Sequence, residues 1–179
     1  MKRKRVVLGA VFLLVPPLAG WLAAEQLAHP QRRPLQDYHR EFLSDPSSHG
    51  VVLKSFNCAD GTPCLLCEPE PRGMLGKRGQ VVREQLMQRG ISLTPPGNVV
   101  GSLVLVHGRR GRKEDYLLIA ERFCAMGFRC ILLDLPAHGD HPGTTACYGV
   151  REGHLPALVL REAAAKFGFN PKPAGIMGI

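Results

Sequence analysis

A chain of 179 residues, 45% hydrophobic and 21% charged, has room for one ordinary globular domain and is too apolar to read as disordered. Its net charge is +8, but Lys2, Arg3, Lys4 and Arg5 against Glu25 leave only +5 for everything after residue 30. That remainder is dispersed and shows none of the basic and aromatic interleaving of single-strand binders, so nucleic acid is not an expected partner.

In chain order, the basic cluster precedes Val6 to Ala24, apolar apart from Pro16-Pro17. This is a charged n-region with a long h-region, close to the about 20 residues that cross hydrocarbon. Two readings stand: residues 1–24 are a signal peptide, or residues 6–24 are an uncleaved membrane anchor with a cytoplasmic amino terminus. Leu22-Ala23-Ala24 before Glu25 is a fair cleavage boundary. Either reading makes the protein membrane-anchored or exported, with its folded part outside the cytoplasm. Residues 25–50 hold His29-Pro30, Arg32-Arg33-Pro34 and Asp45-Pro46-Ser47-Ser48, the composition of a linker, with one helical turn around Tyr38 to Leu43.

The expected domain covers residues 51–179. Val52 to Asn57 and Pro63 to Cys67 flank Ala59-Asp60-Gly61-Thr62, and Asp-Gly between apolar runs predicts an antiparallel hairpin. From Glu68 to Gly101 the chain is longer than a plain connection and reads as a surface insertion. It carries a helix over Gln80 to Arg89 closed by Gly90. Leu103-Val104-Leu105-Val106 is a short continuous apolar run, the pattern of a strand covered on both faces. Glu114 to Met126 repeats Tyr116, Ile119, Ala120 and Phe123 at helical spacing, with Gly127 as its stop. Arg129 to Leu133 is a second apolar strand, so the whole is a βαβ unit with parallel strands, and the fold class is α/β. Arg151 to Phe167 is a second crossover helix, and Pro173 to Ile179 the next strand.

Two turns follow these strands at the carboxyl ends where open α/β sheets bind ligands: His107-Gly108-Arg109-Arg110-Gly111 and Asp134-Leu135-Pro136-Ala137-His138-Gly139. A strand ending in His-Gly followed by one ending in Asp-x-x-x-His-Gly resembles the third and fourth strands of the α/β-hydrolase superfamily. The resemblance covers about Val51 to Ile179 and implies a partial hydrolase sheet, an antiparallel hairpin followed by βαβαβ. It implies a serine hydrolase acting on an ester, thioester or peptide-like carbonyl of a small-molecule substrate, with no cofactor. The loop His107, Gly108, Arg109 and Arg110 would then shape the oxyanion and substrate site, while Asp134, His138 and Gly139 form a structural strand-end turn. Arg110 departs from the family, where a second glycine is frequent, and would narrow the acyl pocket. Gly178-Ile179 matches the first two residues of G-x-S-x-G, a partial nucleophile elbow. On this resemblance the nucleophile follows Ile179, the acid and base lie later, and the 179 residues are an amino-terminal portion without a triad of their own.

His107 could be mistaken for a base, yet a base needs its nucleophile within hydrogen-bond reach. Arg109, Arg110, Arg112 and Lys113 crowd one loop mouth and read as a solvated basic turn, with an anion-binding surface suited to a substrate carboxylate or phosphate as the alternative. Two rival classes remain open. One is a non-catalytic membrane-tethered binding module. The other is a redox or zinc module on Cys58, Cys64 and Cys67, although residues three apart on a strand point to opposite faces. His141 and His154 read as surface or core histidines, and no metal set is expected.

Overall fold

The computed structural model describes residues 16–178. Its sheet opens with the hairpin expected at Asp60-Gly61: β1 (Val51–Asn57) pairs antiparallel with β2 (Pro63–Pro69), Phe56 opposite Cys64. Gly61, at φ +86°, takes the left-handed turn position that favours a residue without Cβ. Three parallel strands follow, β3 (Gly101–Val106), β4 (Phe128–Leu133) and β5 (Ala174–Gly178). β2 lies antiparallel to β4, giving the order β1-β2-β4-β3-β5. The sheet is mixed, antiparallel and then parallel, as expected for the α/β class.

The continuous apolar runs have a direct cause, because period-two alternation sends successive side chains into two separate cores. Leu65, Cys67, Leu105, Cys130 and Leu132 pack with Leu117, Ala120 and Cys124 of α4 (Leu117–Ala125). Cys64, Leu66, Val104, Ile131 and Leu133 pack on the other face with Leu155, Val159 and Ala163 of α5 (Leu155–Phe167). The rival thiol module built on Cys58, Cys64 and Cys67 therefore has its C-x-x-C pair divided between opposite faces. Burial also pushes the Cys67 thiol up, away from reactivity.

The first crossover helix differs from expectation at its start. Lys113–Tyr116 is a 3-10 turn, and only from Leu117 is the segment α-helical. The reason is tethering: the Arg112 N–H donates to Asp115 at 3.0 Å while the Lys113 N–H donates to Asp134, beyond the end of β4, at 2.7 Å. These bonds fix the first turn against the sheet instead of along a helix axis.

Among the described residues three α-helices lie outside this βαβαβ core: α1 (residues 16–28), α2 (Asp37–Ser44) and α3 (Lys77–Gln88). Residues 25–50, expected as a spacer, bring Phe42 and His39 of α2 to 1% and 0% exposure, Phe42 within the α4 core. The insertion between β2 and β3 packs its helix on α4. Arg83 donates to the carbonyls of Ala125 and Thr94 at 2.7 and 2.9 Å, and a Cβ on Gly79 would meet Ala125 at 2.8 Å. Of the apolar run Val6 to Ala24, residues 16–24 belong to α1, and the basic cluster with the remainder lies outside the described residues. No helix among the described residues is long and apolar enough to cross a membrane.

Connectivity points to one place on this sheet. From β3 the chain crosses over α4 to β4 on one side, then over α5 to β5 on the other side of β3. The order reverses at β3, and the crevice beyond the carboxyl end of such a strand is where open α/β sheets hold ligands.

Candidate functional site

Both strands end in the same device. After β3, the Gly111 N–H donates to the Gly108 carbonyl at 3.0 Å, closing a turn whose third residue, Arg110, has φ +61°. After β4, the His138 N–H donates to the Leu135 carbonyl at 3.0 Å, and the third residue, Ala137, has φ +66°. Glycine usually holds that position. Arg110, flagged in the sequence as standing where glycine is frequent, therefore occupies a left-handed position. Gly111 is held small by crowding, since a Cβ there would sit 2.9 Å from the His107 Cβ.

His107 joins the two turns. Its Nε2 accepts from the Leu135 N–H at 3.0 Å, so the ring proton is on Nδ1, which donates to the Gly108 carbonyl at 2.9 Å. Both nitrogens are committed, and burial holds the imidazole below its usual pKa. The residue is a neutral brace between strand ends and has no free nitrogen for proton transfer. His138 stands beside it, ring centroids 5.0 Å apart. Its Nδ1 faces the Pro136 carbonyl at 2.8 Å, and its buried Nε2 has no hydrogen-bond partner among the described residues.

The two turns form one wall of a cleft of about 210 Å³; Ala146, Tyr148, Gly149 and Glu152, from the segment before α5, form the other. Glu152 is spent within that segment, accepting from the Cys147 and Gly149 N–H groups at 2.6 and 2.9 Å. Arg109 stands exposed at the rim. Its backbone N–H, at the second position of the turn, makes no hydrogen bond among the described residues. It is thus an unspent donor beside a glycine, at the switch point among the parallel strands of the sheet.

Asp134, 0% exposed, is the anchor beneath the cleft. One oxygen accepts from the Lys113 N–H at 2.7 Å; the other accepts from the Lys113 ammonium at 2.7 Å and the Asp140 N–H at 2.9 Å. Lys113 also meets Asp140 at 2.6 Å and Glu114 at 3.0 Å, and Arg112 binds Glu114 and Asp140. The four basic side chains of the loop thus separate, which corrects the reading of one solvated basic turn. Arg112 and Lys113 are 4% and 6% exposed inside an ion-pair network, whereas Arg109 and Arg110 face solvent. Glu114, Asp134 and Asp140 bring carboxylate oxygens within 4.8 Å of one another, but the Lys113 ammonium already sits against all three and Arg112 against two of them. The sequence missed this network because the acids that bury the basic pair come largely from beyond β4.

Burial sets a pH dependence. It works against the charged form of Lys113, yet Asp134, Asp140 and Glu114 outweigh it and raise its pKa. Burial also works against ionised Glu114 and Asp140, but Arg112 and Lys113 hold both below the usual carboxylate range. His107, His39 and His141 are lowered by burial, so the unfolded chain takes up more protons than the fold as pH drops below about 6.5. Stability is therefore greatest above that value. It falls first on account of the histidines, then again as pH passes downward through the carboxylates. Urea unfolding at about pH 7.5, 5.5 and 4 checks this: the midpoint is expected to fall at each step.

No protein-family model matches the chain, and no curated protein matches its sequence. Solved structures do match. An esterase from Pyrococcus furiosus aligns at TM-score 0.51 and 13% identity over 86% of this chain and 47% of its own. A membrane phospholipase A described as a bacterial virulence factor aligns at TM-score 0.38 and 18% identity, over 98% of this chain and 43% of its own. The chain spans about half the length of the esterase it matches. The likeness is one of fold, a mixed α/β sheet.

Proposed function

We propose that this chain supplies the carbonyl-binding part of a serine hydrolase of the α/β-hydrolase type, acting on an ester, thioester or peptide-like carbonyl. The observation that carries the reading is the unspent Arg109 N–H at the rim of the cleft where the sheet reverses. Gly108, without a Cβ, lets a carbonyl oxygen approach that amide, and the His107 brace keeps the loop from closing over it. The strand register adds support. Gly178 lies beside Val106, one residue before His107, so a nucleophile just past the end of β5 would face the same loop. Ile179, the other half of the partial elbow, lies outside the described residues. The likeness of fold to the esterase is in keeping with a small ester substrate.

Labelling with a serine-directed fluorophosphonate tests this on the protein expressed from its native locus. A label on a product containing this chain is expected, and an unlabelled, folded product overturns the reading. In the labelled protein, Arg109→Pro removes the amide donor at a turn position that tolerates proline, and turnover is expected to drop about 10²–10³-fold.

A further inference from the structure

Beside the carbonyl cleft lies a second one of about 290 Å³, lined by Gln26, His29, Pro30, Gln31, Arg109 and Arg110. Arg109 borders both, so a ligand with its carbonyl at the Arg109 amide can reach the second cleft without leaving the surface. The charge of that cleft is unbalanced. Among the described residues no carboxylate lines it, and Glu25, the acid paired with its His29, stands 3.5 Å from the imidazole. The Arg109 side chain makes no hydrogen bond or ion pair among the described residues. Among the described residues Arg110 meets only the neutral amide of Gln31, at 3.2 Å. Two residues on, Arg112 and Lys113 are fully matched by carboxylates. Of the four basic groups of this loop, the two left uncompensated are the two that face the clefts.

The far wall is built and not merely adjacent. Arg32 donates to the carbonyls of Gly139 and Gly143 at 3.0 and 2.9 Å, His29 meets the Thr144 carbonyl at 2.7 Å, and the Tyr148 hydroxyl donates to the Leu27 carbonyl at 2.7 Å. The Ala146 N–H donates to the Ala28 carbonyl at 2.7 Å. These bonds tie the end of α1 and the segment after it to the segment that closes the carbonyl cleft, so both clefts share one frame.

We propose that the substrate is an acyl compound bearing an anionic group, a carboxylate or a phosphate, which Arg109 and Arg110 hold in the second cleft. This rests on the reading of the first cleft as a carbonyl site. Planar guanidinium groups suit both oxyanions, and at a solvated rim their pull is screened by salt.

The test uses the chain itself with three ligands sharing one acyl end: N-hexanoylglycine, N-hexanoyl-aminomethylphosphonate and neutral N-hexanoylglycinamide. Binding is followed by the amide NMR shifts of Gly108, Arg109 and Ala146. At least one anion is expected to bind about tenfold tighter than the amide at low salt, about 1.4 kcal/mol, and the carboxylate and phosphonate arms show which group is preferred. The preference is expected to vanish in the exposed double variant R109Q/R110Q. Equal affinity for all three with the Gly108 and Arg109 amides shifting overturns the inference and leaves the carbonyl site standing. A preference that survives in R109Q/R110Q also overturns it. If no ligand moves those amides, both readings fall.

Discussion

The Asp134→Ala protein is expected to lose about 3–5 kcal/mol of folding free energy, the range for removing one partner of a buried charge pair. Three donors lose their acceptor at once: the Lys113 ammonium and the N–H groups of Lys113 and Asp140. Lys113 keeps Asp140 and Glu114, which sets the upper end of the range below that of an isolated buried ammonium. Against a total stability of about 5–15 kcal/mol, the loss removes a large share of the margin. Asp134→Asn restores the volume but offers one acceptor oxygen where two are used, so it falls between the wild type and the alanine variant. Urea unfolding curves for the three proteins give the order directly. An alanine variant within about 1 kcal/mol of wild type would show that this carboxylate does not hold the turn in place.

Gly139→Ala is the second large effect, for a reason that can be separated from the first. An added Cβ would lie 2.1 Å from one Asp134 oxygen and 2.4 Å from the other, with the backbone at φ +48°. The carboxylate cannot step aside, because its three donors hold it. Overpacking costs about 1–3 kcal/mol and a left-handed alanine about 1–2 more, so a loss of about 2–5 kcal/mol is expected. Most of the overpacking part should disappear when Asp134 is already alanine. The double variant is therefore expected to be more stable than the sum of the two single losses predicts, by about 1–3 kcal/mol. Simple additivity would mean that the glycine is required for its backbone angle alone.

The parallel pair and the hairpin were legible because their signals are local. Leu103 to Val106 is apolar at every position since each face of β3 meets its own core, and Asp60-Gly61 specifies its turn in two residues. The loop charges were not legible. Arg112 and Lys113 resemble the exposed Arg109 and Arg110 in composition and neighbourhood, and what separates them is Asp134 and Asp140, more than twenty residues away along the chain. The committed state of His107 was hidden for the same reason, since its partner is the Leu135 amide across the sheet. Residues 25–50 misled through composition, because prolines and serines mark turns as readily as tethers. The helical reading around Tyr38 to Leu43 held the clue, since Phe42 is buried there and Leu43 packs partly buried against the same core.

That phenylalanine also fixes how far the polypeptide can be trimmed from its front. A version starting at Val51 would lack the ring that fills the α4 side of the sheet, an empty volume of the kind that costs about 3–5 kcal/mol when a phenylalanine is truncated. Cleavage upstream of Asp37 leaves α2 and its ring in place, whereas cleavage between Ser44 and Val51 removes them. The packed unit therefore takes in α2 as well as the sheet, so its front edge lies ahead of β1.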